Sequence, residues 1–543
     1  MKALKIVTLV LVLFFTNNLI AQNIGIGTAI PDASAKLEVT STNSGVLIPR
    51  MSKSQRNTIA SPANGLMVFQ NAPDSVGFYF YSSSTWQWLQ NATKPLGKTF
   101  VVLKNDITNA QAAIQLAKEI GTITQYVRIE NTTALTAVDL SGLGDIVELK
   151  INNNAALTTV VSNTLTSTTD GIEVKDNAVL NAVGFPSLQN CGYFNVTSNA
   201  LLSSIQLNSI SSFNNNNLNY IALNPNLNTL NVPVLTSINY LDLFGNGFIS
   251  LDLPLLTTAT DFTIRGNSTL TTLSLPQLNT VNNFRLNFSP LANVSFPSLT
   301  TIQTGGLEIR NCISLTAANF PALASSIGSL NIYANLVLAN ITIPSLTNGT
   351  VNINYNPALP TLSFPTLNNG NITIHTNSNL NTIAFPVFAN SSTINIYLNS
   401  TLNICSFPSL ISVTNFTLDN TKLNTISFPV LQTTTSFGIS NNNLLTSISF
   451  PALTTGTSVV MTNSNVLASV SIPALSNYNT FVVNNCKLNT AMVNSLLAKF
   501  VTILTPSGKN IFLNGNTPLA PPSGAGITNK ATIIAAGNNV TTD

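Results

Sequence analysis

Leu235 to Pro254 reads LTSINYLDLFGNGFISLDLP. Leu241 and Leu243 alternate with Asp242 and Phe244, so an extended chain turns both leucines to one face and their neighbours to the other. Asn246, three residues beyond Leu243, recurs in the same place as Asn267, Asn335, Asn356, Asn377 and Asn399. Asparagine tolerates left-handed backbone and bonds nearby main chain, which suits a corner taken at every coil. Pro254 is one of twelve prolines, from Pro233 to Pro473, that follow one another at intervals of 21 to 24 residues. Each follows an apolar residue, most often phenylalanine, and has leucine two positions later, with Phe388 the one exception. Proline has no amide to donate, so this column marks a point where no ladder bond forms. Phe296, Phe320, Phe364, Phe385, Phe407, Phe428 and Phe450 are expected to stack as one internal column. A period of roughly 20–29 residues with leucine-type positions inside it signals a solenoid, whose units bury their faces only against their neighbours. The predicted fold is mainly β: a solenoid of about 18 turns with short capping helices, preceded by a small β-rich segment.

Outward from the repeat, the ends differ in texture. Residues 1–21 read as a secretory signal: Lys2 and Lys5, an apolar core from Ile6 to Phe15, then Leu19-Ile20-Ala21. Residues 22–92 hold short apolar runs bounded by Gly, Pro and Asn, and an aromatic end from Phe78 to Trp88, which favour strands and turns. Residues 99–126 are expected to cap the solenoid, with a strand at Phe100–Leu103 and a helix begun by Asp106. The repeat occupies 127–488. A second cap at 489–515 has helical spacing from Asn489 to Phe500 and a last strand at Ile511–Leu513. Residues 516–543 read as a tail rich in Pro, Gly, Ala and Asn.

Of 543 residues 7% are charged and 44% hydrophobic, with a net charge of +3. Beyond the first 20 residues no apolar run approaches the roughly 18 residues that a spanning helix needs. No transmembrane segment is therefore expected in the mature chain, and no strongly basic segment recommends nucleic acid as a partner. Cys191, Cys312, Cys405 and Cys486 fall in well-separated units, the closest pair about four turns or ~19 Å apart. A disulfide needs Cα atoms within ~7 Å, so all four read as free thiols with a packing role.

Two resemblances bear on function. Ile24-Gly25-Ile26-Gly27-Thr28 and the block around it resemble the head segments of bacterial and phage fibre proteins. That likeness implies a homo-trimer through 22–92; read from composition alone, the block is a β-rich module that merely precedes the solenoid. Asn415 to Gln432, NFTLDNTKLNTISFPVLQ, resembles the leucine-rich repeat class and within it the receptor L-domain type, over about 99–515. This implies a right-handed solenoid whose strand face carries ligand contacts.

Catalytic sets are hard to find. His375 is the single histidine, no HExxH or CxxC spacing occurs, and Gly25-Ile26-Gly27 is too short for a phosphate loop. The acids between 177 and 500 are Asp242, Asp252, Asp261, Glu308 and Asp419, which assemble no pair in mutual reach. No catalytic residue, cofactor or metal ligand is assigned, and the chain is expected not to be an enzyme. The outward strand positions are richer. The residue after each inward pair gives Phe244, Arg265, Asn287, Arg310, Tyr333, Asn354, His375, Tyr397 and Asp419; the residue between each pair gives Asp242, Thr263, Arg285, Glu308, Asn331, Asn352, Thr373, Asn395 and Thr417. Six of the eleven charged residues in 177–500 lie on these two columns. Asp242, Phe244, Arg265, Arg285, Glu308, Arg310, Tyr333, His375 and Tyr397 form the candidate binding face, since tyrosine and arginine commonly anchor interfaces. A solvated sheet face with paired charges accounts for the same pattern, and a lone histidine is commonly a surface polar residue.

Three functions fit. The first is a secreted or cell-surface protein that binds an extracellular protein or glycan through its strand face, in adhesion or recognition. The second is a structural spacer or fibre element with an oligomerising N-terminal segment. The third is a polysaccharide-cleaving solenoid.

Overall fold

The computed structural model describes residues 23–71, 76–89, 96–213 and 218–543, so the signal-like segment 1–21 lies outside the described residues. The chain divides between residues 94 and 95 into two compact units.

The second unit is the solenoid. One parallel ladder begins at Phe100–Asn105 and Tyr126–Thr132 and ends at Asn510–Leu513 and Asn539–Thr542, about nineteen turns in all. Within it Leu241 lies opposite Phe262 and Leu243 opposite Ile264, and the register continues to Phe284 and Leu286. A second set of three-residue strands, such as Thr361–Ser363, Thr382–Ala384 and Ile404–Ser406, forms shorter parallel ladders of its own. The inward residues are essentially dry: Leu241, Leu243, Phe262, Ile264, Phe284 and Leu286 are all buried. Each such side chain stabilises the fold by about 1.5–3 kcal/mol over leaving it in water.

The proline column sits where the sequence placed it. In Phe320-Pro321-Ala322-Leu323 the Leu323 amide donates to the Phe320 carbonyl at 3.3 Å, a turn with proline second, where its fixed φ fits and no amide is needed. The proline carbonyls are used instead: Ser298 Oγ donates to Pro276 and Ser409 Oγ to Pro386 across successive coils. The phenylalanines stack, but as two columns. Phe296 and Phe320 lie 5.4 Å apart, Ile343 interrupts, and Phe364, Phe385, Phe407, Phe428 and Phe450 continue at 5.1–5.7 Å.

The asparagines do a different job from the one expected. The left-handed residue at each corner is the preceding one, Gly245, Gly266, Ala334, Tyr355, Thr376 or Leu398. The asparagine behind it is buried and serves as a rung. Asn356 Nδ2 donates to the Ile332 carbonyl of the previous coil at 2.9 Å and to Asn354 O at 3.0 Å. Its main-chain amide donates to Asn377 Oδ1 at 2.9 Å, while its own Oδ1 accepts from the Asn335 amide at 3.1 Å. A buried amide with every valence used is stable where an orphaned one is costly. Cys312 and Cys486 occupy the same column, and all four cysteines are free.

Coils of different length keep register because extra residues collect at one place. Thr301–Arg310 is a ten-residue strand whose pairing shifts between Ile302 and Leu307, then resumes with Leu307 opposite Leu330. Gly306 sits there at φ +89, with a would-be Cβ 2.8 Å from the Ser329 carbonyl oxygen, so only glycine fits.

Helices accompany both ends of the ladder. The first helix runs Asn109–Glu119, and its N-cap is Thr108, in a capping box with Gln111, not the expected Asp106. Threonine stands three residues before glutamine, as the reciprocal bond requires, and Asp106 does not. Helix Thr490–Val501 starts at Asn489 and buries Val493, Leu496, Leu497 and Phe500. Residues 516–543 are not a tail. Ala525–Ala535 is a helix with Ile533 buried, and Asn539–Thr542 pairs with Asn510–Leu513 as a last rung. Its Pro and Gly residues shape the connection before the helix; without this segment the edge of Asn510–Leu513 would be open. Asp543 ends the asparagine column, accepting from the Asn516 side chain at 3.0 Å and the Ala520 amide at 3.0 Å.

The first unit is small. Ile24–Ile26 pairs in parallel with Leu37–Val39. Met67–Gln70, Gly77–Ser82 and Thr85–Trp88 form an antiparallel sheet, extended in parallel by Arg50–Met51. A short helix, Lys53–Asn57, lays the Arg56 guanidinium 4.1 Å from the Tyr79 ring centre.

Candidate functional site

The long strands leave one continuous outward face, and the register confirms both columns read from the sequence. Phe244, Arg265, Asn287, Arg310, Tyr333, Asn354, His375, Tyr397 and Asp419 lie opposite one another in order. Asp242, Thr263, Arg285, Glu308, Asn331, Asn352, Thr373, Asn395 and Thr417 form the neighbouring column.

The nine candidate residues fall into four groups along the face. Arg265 pairs with Asp242 at 2.8 Å and lies 4.4 Å from the Phe244 ring centre. Asp242 is only 5% exposed, so it is a support for Arg265 and not the open contact expected of it. Arg285 pairs with Asp261 at 3.4 Å. Arg310 pairs with Glu308 at 3.1 Å and donates to the Tyr333 hydroxyl at 2.9 Å, which in turn reaches Glu308 at 3.4 Å. His375 stacks on Tyr397 at 4.5 Å and meets the edge of Tyr355 at 5.2 Å. Burial pushes the His375 imidazole below its ordinary value, so it is uncharged at neutral pH.

Two features of the face escaped the sequence reading. A charged cluster lies nearer the N-terminus, where Glu148 is held by Lys150 at 2.8 Å, Arg128 at 3.3 Å and the Tyr193 hydroxyl at 3.2 Å. Burial opposes the Glu148 charge, but these partners outweigh it and hold the carboxyl below its ordinary value. Extending the two columns upstream of Phe244 would have found Lys150 and Arg128, but not Glu148 or Tyr193, which stand one outward position earlier on the face. The second is Tyr355, 53% exposed at a left-handed corner with φ +55. It lies outside both columns because it follows Asn354. With Asn331, Tyr333, Asn352 and Asn354 it lines a shallow depression of about 250 Å3.

The first unit carries a different kind of surface. Ile24, Ile26, Leu37, Val46 and Leu47 are each more than half exposed. A two-stranded sheet with its apolar side chains in water is marginal by itself, and such a patch marks an interaction site.

Residues 25–109 match the family model of a phage tail like trimerisation region. A leucine rich cell surface protein from Faecalibacterium prausnitzii A2-165 is a structural match at 11% identity, over 77% of this chain and 96% of that one, with a TM-score of 0.17. No curated protein matches the chain. The fold defines a β-solenoid repeat protein, and the segment on its N-terminal side is similar to a phage tail like trimerisation region.

Proposed function

We propose that the protein is a non-catalytic, exported repeat protein at the cell surface, trimeric through its N-terminal segment, that binds an extracellular protein or glycan through the outward strand face. The observation that carries this reading is the continuous outward face, on which most charged residues of 177–500 and four half-buried rings, Phe244, Tyr333, His375 and Tyr397, fall into register. Arginine and tyrosine are the anchors that such recognition uses. The match to a trimerisation region and the exposed apolar residues of the first unit support three copies presenting three faces, which multiplies weak contacts by avidity. Among the described residues no helix is long and apolar enough to cross a membrane.

The test is binding of the full chain to cells and extracellular matrix. Replacing Arg265, Arg310, Tyr333 and Tyr397 together by alanine should abolish it while leaving circular dichroism unchanged. Binding that survives all four changes removes the face from consideration. The spacer reading is favoured by the same trimerisation match, and it gains ground if the chain is trimeric yet the face binds nothing.

A further inference from the structure

The outward face is divided by charge. Between Arg310 and Asp419 lie 108 consecutive residues, 311–418, without a single Asp, Glu, Lys or Arg. Those two flanking charges are themselves engaged, Arg310 with Glu308 and Tyr333, Asp419 with Ser440 and Asn441. In the uncharged stretch the face presents rings and amides. Tyr333, Asn354, His375 and Tyr397 stand on successive rungs, spanning about 14 Å at the usual strand spacing. The Asn352 side chain donates to Asn331 Oδ1 at 2.7 Å, which fixes both amides beside the depression at Tyr355.

Tyr355 adds a ring beyond the columns. Its left-handed corner is one of several filled by neither glycine nor asparagine, Leu223, Phe288, Ala334, Thr376 and Leu398 among them, and it holds the ring half out of the surface, next to His375 and beside the depression it lines.

Resting on the strand-face reading above, we infer that the Tyr333–Tyr397 stretch is a subsite for an uncharged glycan chain. The apolar faces of sugar rings pack on tyrosine, and His375, stacked on Tyr397, braces that ring from behind. Sugar hydroxyls both donate and accept, and asparagine amides do the same. An anionic glycan finds no free cation here: residues 311–418 carry none, and Arg310 at the border, bonded to Tyr333, is already paired with Glu308. A protein partner is met better by the charged coils, where arginine and aromatic residues stand together.

The experiment titrates the full chain with hexamers of β-1,4-linked glucose, mannose and xylose and of α-1,4-linked glucose, and with a galacturonate hexamer, at 50 and 500 mM salt. At least one neutral hexamer should bind, with an affinity insensitive to salt. Tyr355→Ala and Tyr397→Ala should each weaken it about tenfold, Tyr397→Phe should not, and Lys422→Ala, beyond the strand face, should leave it unchanged. Failure of every neutral hexamer, or salt-sensitive binding of galacturonate alone, overturns the inference. If cell binding is then lost in Arg265→Ala but kept in Tyr355→Ala, the strand-face reading survives with a protein partner on the charged coils. If neither variant affects cell binding, both readings fall.

Discussion

A single asparagine shows how the residue scale works in this molecule. Asn356 joins three coils through one side chain and one amide. Asn356→Ala leaves the Ile332 carbonyl and the Asn335 amide without partners in a dry interior, which should cost about 2–4 kcal/mol, two lost partners at 1–3 each with some relaxation. The midpoint of urea denaturation reads this directly. Tyr355→Gly should behave oppositely: relieving left-handed strain makes it neutral or stabilising by up to about 1 kcal/mol, even as sugar binding falls. A melting curve and a titration on the same sample check the pair. The sequence made the spacing of these asparagines plain but not their role, because a corner residue and a buried rung beside the corner recur with the same period. Tyr355 was invisible for a related reason: alternation marks strand positions, and it stands one step past the strand.

The elements follow period two closely enough that both outward columns were readable residue by residue. Inward and outward positions differ in hydrophobicity at every rung, so a slip by one residue would bury the polar set. What could not be read was the closing of the ends. Residues 516–543 look like a linker by composition, yet they supply a helix that buries Ile533 and one further rung on Asn510–Leu513, which extends the apolar stack by a coil. Deleting 517–543 should lower the melting temperature and bring on concentration-dependent light scattering. The last residue of this element has a pH signature. Burial opposes the Asp543 charge, but bonds from Ala520, Asn516 and Gly515 outweigh it and hold the carboxyl below its ordinary value of 3.8. A depressed carboxyl adds stability above its unfolded value and loses it as pH falls through the folded one. Melting temperature should therefore drop as pH is lowered from about 4 downward, and Asp543→Asn should be less stable at neutral pH with a flatter acid limb.

For the whole molecule, stability is close to a sum of coils and their interfaces, since each coil touches mainly its neighbours. The first unit obeys different rules: apart from Val68 and Tyr79 few of its apolar residues are buried, and its order is expected to come from association. Light scattering of the full chain should report three chain masses, and Ile26→Asp with Leu37→Asp should reduce it to one. A monomeric parent chain would remove the trimer from the proposal.

Phe428 and Pro451 each belong to a Phe-Pro turn one period apart. Removing 429–450 would join them into the same dipeptide and set Ser412–Asp419 against Thr455–Thr462, whose partners in the present ladder are alike. Reach is thus a quantised trait: recombination between neighbouring copies can shorten or lengthen the rod by whole steps, leaving the aromatic row and both lids untouched.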